Sequence, residues 1–165
     1  MRRCKMFSIL RKKAVPGSDL LLSRLYDEGT FYRAFTNDLR DAKRSVVIES
    51  PYLTERRALQ FARLLKKLEK RGVSVRINTR NPRHHDKTLE IQAWRAIKVL
   101  RQNGAKVRIY DDMRHRKLAI IDNCILWDGS LNILSQSRSR EIMRRTNSTV
   151  LCQQMTSFIR PWSWY

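Results

Sequence analysis

The sequence predicts an α/β domain built around a mixed, largely parallel sheet. The first observation is a pattern that occurs twice, at residues 70–77 and 102–109: the end of a helix-like segment, a glycine, and a strand in which basic and apolar residues alternate. The second is a pair of short apolar runs, at 46–48 and 118–121, of the kind that buried strands show. Two successive helix and strand units are typical of crossovers between parallel strands.

The first part of the chain is expected to contain a basic arm and two helices. Residues 1–17 are rich in Lys and Arg and end in a Pro-Gly pair, so we interpret them as an N-terminal arm that precedes one domain over residues 18–165. A short helix is predicted over 18–27. A second helix is predicted over 30–44, where phenylalanine, alanine and leucine recur at helical spacing.

The middle of the chain predicts alternating strands and helices. The expected elements are a strand at 45–49, a helix from Thr54 to Gly72, a strand at 73–77, a loop at 78–87, a helix at 88–102 and a strand at 106–110. The polar side of the helix predicted from Thr54 to Gly72 carries seven basic residues. Such charges indicate a solvated face more often than a binding site. They are Arg56, Arg57, Arg63, Lys66, Lys67, Lys70 and Arg71.

The last part of the chain predicts a hairpin, a polar segment and one more strand. The expected elements are a strand at 118–121, a turn at 122–123, a returning strand at 124–127, a polar and basic segment at 133–145, a strand at 148–152 with a short helix after it, and an aromatic cluster at 161–165. We expect the aromatic cluster to pack on the domain or across a dimer.

The hairpin is expected to bring chemically useful side chains to one end of the sheet. His115 and Lys117 are two residues apart, so in an extended strand they point to the same face. Gly129 ends the returning strand, and the Ser130 hydroxyl and the Asn132 amide then lie at the same end. Lys117 can neutralise phosphate oxygens, Ser130 and Asn132 can donate hydrogen bonds to them, and His115 can attack phosphorus or move a proton. This chemistry suits a phosphodiester and needs no metal.

These residues also form a complete motif. Its pattern is His-x-Lys, four residues, Asp, six residues and Gly-Ser-x-Asn, and it is met by His115, Lys117, Asp122, Gly129, Ser130 and Asn132. At these positions the sequence resembles the phospholipase D superfamily. The resemblance implies an α/β/α sandwich and phosphodiester cleavage without a cofactor. It also implies a downstream glutamate that orients the imidazole, for which Glu141 is the candidate.

The resemblance assigns the remaining motif residues and an assembly. Asp122 is expected to support the strand, and Gly129 to allow a tight bend. The family's reaction uses two histidines, one that attacks phosphorus to give a phosphohistidine and one that protonates the leaving oxygen. Because this chain carries one copy of the motif, we predict a homodimer with a shared site on its two-fold axis.

A second set of candidates lies in the loop after the strand at 73–77, because ligands of α/β sheets gather at the carboxyl ends of strands. A solvated basic loop and a loop that contacts nucleic acid fit this pattern equally well. Adjacent side chains rarely converge on one ion, so a metal site here is not expected. Ser50 and Tyr52 also follow a strand, and either line the pocket or form a turn. The possible nucleic-acid contacts are Arg80, Arg83, His84, His85 and Lys87.

The charge of the chain points to a polyanionic partner. Lys and Arg number 35 against 15 acidic residues, which gives a formal charge of +20. We expect nucleic acid, DNA more than RNA, with an anionic membrane surface as the competitor. The sequence shows no export segment and three cysteines without metal-ligand spacing, so we expect a cytoplasmic protein with free thiols and no stable membrane association.

Three functions are compatible with these observations. The leading hypothesis is a metal-independent phosphodiesterase that cleaves nucleic acid through a phosphohistidine in a dimeric active site. The second is a phospholipid-processing enzyme of the same superfamily. The third is a nucleic-acid-binding module of a larger DNA-processing system, with the fold retained and little turnover.

Overall fold

A computed structural model describes residues 23–135 and 138–159 of the 165-residue chain. Seven strands, four α-helices and one 3-10 turn occur in this part. In chain order they are β1 (Ser23–Asp27), α1 (Phe31–Asp41), β2 (Ser45–Glu49), α2 (Glu55–Lys70), β3 (Ser74–Arg80), the 3-10 turn (Pro82–His84), α3 (Lys87–Gln102), β4 (Lys106–Tyr110), β5 (Leu118–Ile121), β6 (Ile125–Gly129), β7 (Ile142–Asn147) and α4 (Thr149–Ile159).

The strands form one mixed sheet in the order β1-β7-β6-β5-β2-β3-β4. The two predicted crossovers are confirmed, because β2, β3 and β4 are parallel neighbours connected through α2 and α3. The other four pairings are antiparallel. The sheet is therefore mixed as predicted but not largely parallel, since β7 and β1, neither of which was predicted as a strand, both extend its antiparallel half.

Helices cover both faces of the sheet, which confirms the predicted α/β/α sandwich. Alternation along β5 shows why: Ala119 and Ile121 join the core beneath α1, α2 and α3, whereas Leu118 and Ile120 pack against α4. Trp127 of β6 is fully buried in the first core, where its ring contacts the rings of α1.

Most central elements lie where the sequence places them. Thr54 caps α2 by accepting a hydrogen bond from the Arg57 backbone N–H, and the helix ends just before Gly72 as expected. The predicted turn is confirmed, because Asp122 and Asn123 adopt φ values of 53° and 57°, as two-residue hairpin turns require.

The predicted helix over 18–27 is wrong for the residues that the structure describes. Residues 23–27 form β1, an edge strand that pairs antiparallel with β7, and the hydroxyls of Ser23 and Thr146 lie 2.6 Å apart across the pair. Leu25 is 66% exposed, so it does not belong to a buried apolar face. The strand draws its stability from the hydrogen bonds of its partner, which local sequence does not reveal.

The predicted strand over 148–152 is also wrong, because this segment begins α4. The Ser148 hydroxyl accepts a hydrogen bond from the Leu151 backbone N–H at the start of the helix. Cys152 and Ile159 then lie one above the other against β5 and β6. Short apolar runs fit a strand and a buried helix equally well, and length decides between them.

Strand β7 lies inside the segment that was read as polar and basic. Its basic residues are held by acids, as Arg144 pairs with Asp128 and Arg145 with Asp38. No helix in the described part of the chain is long and apolar enough to cross a bilayer. The predicted arm at 1–17 and the aromatic cluster at 161–165 lie outside the described residues.

Candidate functional site

The direction of the strands explains how distant parts of the chain meet. β5 runs antiparallel to β2, so the start of β5 lies beside the end of β2. β6 ends and β7 starts at that same edge, because each runs antiparallel to its predecessor in the sheet. The segments that follow β2, β3 and β6 and those that precede β5 and β7 therefore converge there. We call this end of the strands the site edge of the sheet, which is distinct from its outermost strands β1 and β4.

His115 and Lys117 lie at the site edge, immediately before β5. The Lys117 ammonium donates to the His115 Nδ1 atom at 2.6 Å and to the His115 carbonyl at 2.7 Å. Burial lowers the pKa of His115, and the positive charges of Lys117 and Arg80 lower it further. The imidazole is therefore biased towards its neutral form near pH 7, which is the form that can act as a nucleophile or a base.

Ser130 and Asn132 follow β6 at the same edge. The Gly129 N–H donates to the Lys117 carbonyl at 3.3 Å, which ties the two segments together. The Ser130 hydroxyl accepts from the Ile142 N–H at 3.2 Å, so its own hydrogen is free to be donated. The Asn132 Oδ1 atom is buried and has no hydrogen-bond partner among the described residues. Since amide O and N positions are interchangeable by a flip, this buried end can accept or donate to a ligand.

Gly129 and Asp122 act on the sheet itself. A Cβ atom at Gly129 would lie 2.9 Å from the Met143 Cα atom of β7 and closer still to the Ile142 carbonyl, so only glycine fits there. The Asp122 carboxylate accepts three backbone hydrogen bonds, from Lys43 and Arg44 at 2.7 Å and from Ser45 at 2.9 Å. Burial alone would raise the pKa of Asp122, but these hydrogen bonds outweigh it and hold the pKa below 3.8. Asp122 lies at the opposite end of β5 from His115.

A buried glutamate fixes the backbone on both sides of His115. Glu49, at the end of β2, is 1% exposed and pairs with Arg114 Nη1 at 2.8 Å and with Arg116 Nε at 2.7 Å. In an extended segment alternate side chains point to opposite sides, so this clamp directs His115 and Lys117 to the other side. Sequence reasoning missed Glu49. The available signal was an acid at the end of an otherwise apolar strand, and this strand pairs directly with β5 of the motif's hairpin.

Glu141 lies beside Lys117 and has no described hydrogen bond to His115. Its charge raises the pKa of Lys117, although burial is the larger effect and leaves that pKa below 10.5. Its backbone N–H donates to Glu28, which also pairs with Arg140 at 2.8 Å. These contacts fix the start of β7 against the loop after β1.

Arg80, the last residue of β3, and His85, in the loop after it, both contribute to the site. The Tyr52 ring lies between the two histidines, with its centroid 4.8 Å from the His85 ring and 6.0 Å from the His115 ring. The Arg80 Nε and His85 Nε2 atoms are both buried and have no hydrogen-bond partner among the described residues. Burial lowers the pKa of His85, and the Arg80 charge adds to this effect.

The other candidates in this loop have partners away from the site or face solvent. His84 Nε2 lies 3.4 Å from an Asp111 carboxylate oxygen, and Lys87 pairs with Glu90 at 3.2 Å. Arg83 is exposed. Among residues 23–135 and 138–159, no group of three or more His, Cys, Asp or Glu side chains is arranged to hold a metal ion.

The family profile described as "Cardiolipin synthase, PLD-like domain" matches residues 35–162 of the sequence, which include the whole motif and all the elements from β2 to α4. The chain belongs to this phospholipase D-like family. The predicted superfamily is thereby confirmed, and with it, at the level of the family, the predicted class of phosphodiesterase. No curated protein sequence matches the chain.

Solved structures share this phospholipase D-like fold over most of the chain. NucT from Helicobacter pylori is 22% identical, with a TM-score of 0.66 over 82% of this chain and 91% of that one. Nuc from Salmonella typhimurium, a phospholipase D family member, is 20% identical, with a TM-score of 0.69 over 82% and 90%. TrmBL2, an archaeal chromatin protein, is 13% identical, with a TM-score of 0.54 over 82% of this chain and 50% of its own.

The phospholipase D-like site thus combines predicted and unpredicted residues. The structure brings the predicted His115, Lys117, Ser130, Asn132, Glu141, Arg80 and His85 to one edge. Tyr52, for which the sequence left two interpretations open, lines this edge between the histidines. Arg83, His84 and Lys87 do not join it.

Proposed function

We propose that the protein is a metal-independent phosphodiesterase that cleaves nucleic acid, DNA in preference to RNA. The observation that carries the proposal is the imidazole of His115, biased to its neutral form and in contact with the Lys117 ammonium, at an edge where several buried polar atoms have no partner among residues 23–135 and 138–159. A phosphodiester supplies what this edge lacks, because its oxygens accept hydrogen bonds and carry negative charge.

The proposed reaction has two steps. A His115 ring nitrogen attacks phosphorus, the P–O bond to the leaving group breaks, and a second histidine protonates the departing oxygen. Water, deprotonated by that second histidine, then attacks phosphorus and breaks the P–N bond, which restores the imidazole. Lys117 turns from the imidazole to a phosphate oxygen when substrate binds, and Ser130 and Asn132 donate to the same phosphoryl group.

The second histidine is proposed to come from a second copy of the chain. The sequence holds one copy of the motif, and His115 is exposed at the site edge, so two copies can share one phosphate on a two-fold axis. Protein prepared by refolding equal amounts of wild type and His115→Ala together tests this. A shared site retains about a quarter of the wild-type activity, since one dimer in four carries both histidines, whereas independent sites retain half.

Nucleic acid is proposed as the substrate because of charge. A formal charge of +20 on 165 residues favours a polyanion. The match to TrmBL2, a chromatin protein with a described mode of DNA binding, is consistent with this choice. The description of the matching family favours a second candidate, a phospholipid substrate. Release of headgroup from anionic lipid vesicles, with no cleavage of nucleic acid, would establish that candidate instead.

The deciding experiment is cleavage of labelled single-stranded and double-stranded DNA and RNA at low salt in excess EDTA. We expect cleavage that persists in EDTA and falls by at least about 10³-fold in His115→Ala, because the nucleophile is lost. Binding should remain, since Lys117 and the basic surface are unchanged. His84→Ala is the matched control, because His84 lies outside the site, and it should cleave like wild type.

Two results would contradict the proposal. Activity that disappears in EDTA would exclude the metal-independent mechanism. Salt-sensitive binding without cleavage by the wild-type protein would indicate a nucleic-acid-binding module in place of an enzyme.

A further inference from the structure

We propose that the outer surface of α2 is a binding track for single-stranded nucleic acid that leads to the site. The track is defined by six basic residues of this helix: Arg56, Arg57, Arg63, Lys66, Lys67 and Lys70. This inference rests on the proposed function and specifies where the strand lies beyond the reacting phosphate. The sequence alone favoured a solvated face for these residues.

Three grooves make the track continuous with the site. The first, of about 450 Å³, is lined by Tyr52 and Arg57, and the Tyr52 ring packs edge-on to the His115 ring. The second, of about 330 Å³, is also lined by Arg57 and continues to Arg63 and Lys67. Those last two residues line the third groove as well, which has about 490 Å³. Each groove therefore shares a basic residue with the next, and the first opens beside the catalytic histidine.

The charge of these grooves selects an anionic occupant. No described residue that lines them is acidic, whereas each contains at least two Lys or Arg side chains. The two acids of α2 are Glu55, which pairs with Arg95 at 3.5 Å, and Glu69, which pairs with Lys66 at 2.7 Å. Lys66 is thus the one residue of the track with a described carboxylate partner on α2, and the lysines and arginines of the track outnumber the acids of the helix by six to two.

The shape and apolar content of the grooves favour a single strand over a duplex. The first groove is lined by the half-buried ring of Tyr52 and the second by that of Tyr32, and Arg57 lies 3.8 Å from the centroid of the Tyr32 ring. Basic grooves interleaved with aromatic side chains are typical of surfaces that bind single strands. At 1.5 Å per residue, the 16 residues of α2 span about 24 Å, room for up to about seven nucleotides at a spacing of about 3.4 Å.

The test compares two double variants that each remove two positive charges. Arg63→Gln with Lys67→Gln alters the two residues that line both the second and the third grooves, and Arg33→Gln with Lys98→Gln alters exposed cations outside the grooves. Both pairs are made in the full-length His115→Ala protein so that DNA is not cleaved. Affinity for fluorescent oligothymidylates of 4 and 12 nucleotides, for a DNA duplex and for phosphatidylglycerol vesicles is measured over a salt series, and thermal unfolding verifies that the variants are folded.

We expect the track pair to weaken binding of the longer oligonucleotide and to lower the slope of log K against log salt by about 1.4, which is about 0.7 for each lost phosphate contact. The control pair should leave the slope within error. Three results would overturn this inference and leave the proposed function standing. They are equal losses of affinity in both pairs, no loss of affinity in the track pair, and a loss of affinity for double-stranded DNA equal to that for the oligonucleotide. Selective loss of binding to anionic phosphatidylglycerol vesicles, with oligonucleotide binding unchanged, would assign the track to a membrane and also overturn it.

Failure of the underlying function gives a different result. If the His115→Ala protein binds none of the oligonucleotides and the wild type cleaves none of the four nucleic acids, the proposed function is refuted. The proposed track is then refuted as well. Cleavage by wild type with no effect of the track pair leaves the proposed function intact.

Discussion

The two ends of β5 carry residues of one motif, but their polar groups are satisfied to opposite degrees. At the Asp122 end, one carboxylate accepts three backbone hydrogen bonds and joins the α1–β2 connection to the hairpin. At the His115 end, buried atoms of Asn132, Arg80 and His85 have no hydrogen-bond partner among the described residues. The same strand thus has one end built for stability and one end with unused hydrogen-bonding capacity.

This difference separates two kinds of motif residue. Buried polar atoms without partners cost free energy, so a fold retains them where a ligand will satisfy them. Asp122 is as much part of the motif as His115, yet its hydrogen-bonding capacity is already used by the backbone. We therefore expect substitutions at the His115 end to lower activity with little effect on stability, and substitutions at the Asp122 end to do the reverse.

After His115→Ala, the largest effect is expected for Lys117→Met. Loss of a donor that neutralises the transferred phosphoryl group should lower kcat by about 10²- to 10³-fold. The free energy of unfolding should change by less than about 1 kcal/mol, because the described hydrogen bonds of the Lys117 ammonium go to the neighbouring His115 and burial disfavours its charged form. Steady-state kinetics and urea unfolding of the same preparation measure both quantities. A loss of several kcal/mol in stability would remove the contrast between the two ends of β5.

Glu49→Gln is expected to affect both quantities, since Glu49 is buried yet holds the segment that carries His115. Breaking its pairs with Arg114 and Arg116 should cost about 3 kcal/mol of stability and also lower kcat in the folded protein. Asp38→Asn is the matched control, because Asp38 also binds two partners, Arg145 and Trp127, on the other side of the sheet. It should lose stability and keep the wild-type kcat. Equal kcat values in the two variants would show that the Glu49 clamp does not position His115.

Asp122→Ala is expected to lower stability by about 2 kcal/mol and to leave kcat unchanged at temperatures where the protein is folded. Three backbone N–H groups lose their acceptor, and alanine tolerates the positive φ of residue 122 less well than aspartate. Asp122→Asn keeps an acceptor and the turn conformation, so it should lose less. Because the pKa of Asp122 is lowered by folding, its contribution is present above the unfolded pKa near 3.8 and is lost as pH falls through the folded value. A variant with normal stability and impaired kcat would contradict this assignment.

The smallest effect is a shift in the pH profile. The proposed reaction needs neutral His115, and the pKa of His115 is lowered by burial and by the charges of Lys117 and Arg80, so activity should fall only as pH drops below 6.5. In Lys117→Met the acid limb of the profile of kcat/KM should move towards higher pH, because one positive charge is removed. The shift should be partial, since burial is the larger cause. An unchanged acid limb would mean that another group controls it.

The sequence predicted the parts of the site that are local in the chain. His115, Lys117, Ser130 and Asn132 are joined by one hairpin, so their spacing alone indicates that they meet. Arg80 was found because it follows a strand, and β-sheet topology brings strand ends together. Glu49 was missed because its role depends on pairing between β2 and β5, which are separated by 68 residues of chain between Glu49 and Leu118.

The errors in the fold have a similar origin. β1 and β7 stabilise each other although more than one hundred residues separate them in the chain. The two arginines of β7 suggested a loop, because the sequence does not show that Asp128 and Asp38 neutralise them in the folded protein. Residues 148–152 were assigned as a strand from five residues, which is too short a run to show helical periodicity. Helices α1, α2 and α3 were predicted well because each carries its own repeating apolar face over at least eleven residues.

The site edge and the opposite edge of the sheet differ in how well they should tolerate inserted sequence. The difference arises because strand direction reverses between β2 and β5, which gathers the functional groups at one edge. Every connection at the site edge contributes a substrate-facing group or positions one. At the other edge the connections are short turns, and Gly72 there has open space where a side chain would be and a positive φ of 75°. The positive φ reserves this position for glycine, so a peptide tag or a fused domain is best inserted in this turn with Gly72 retained, and the enzyme can be attached to a surface through this edge with its site facing outward.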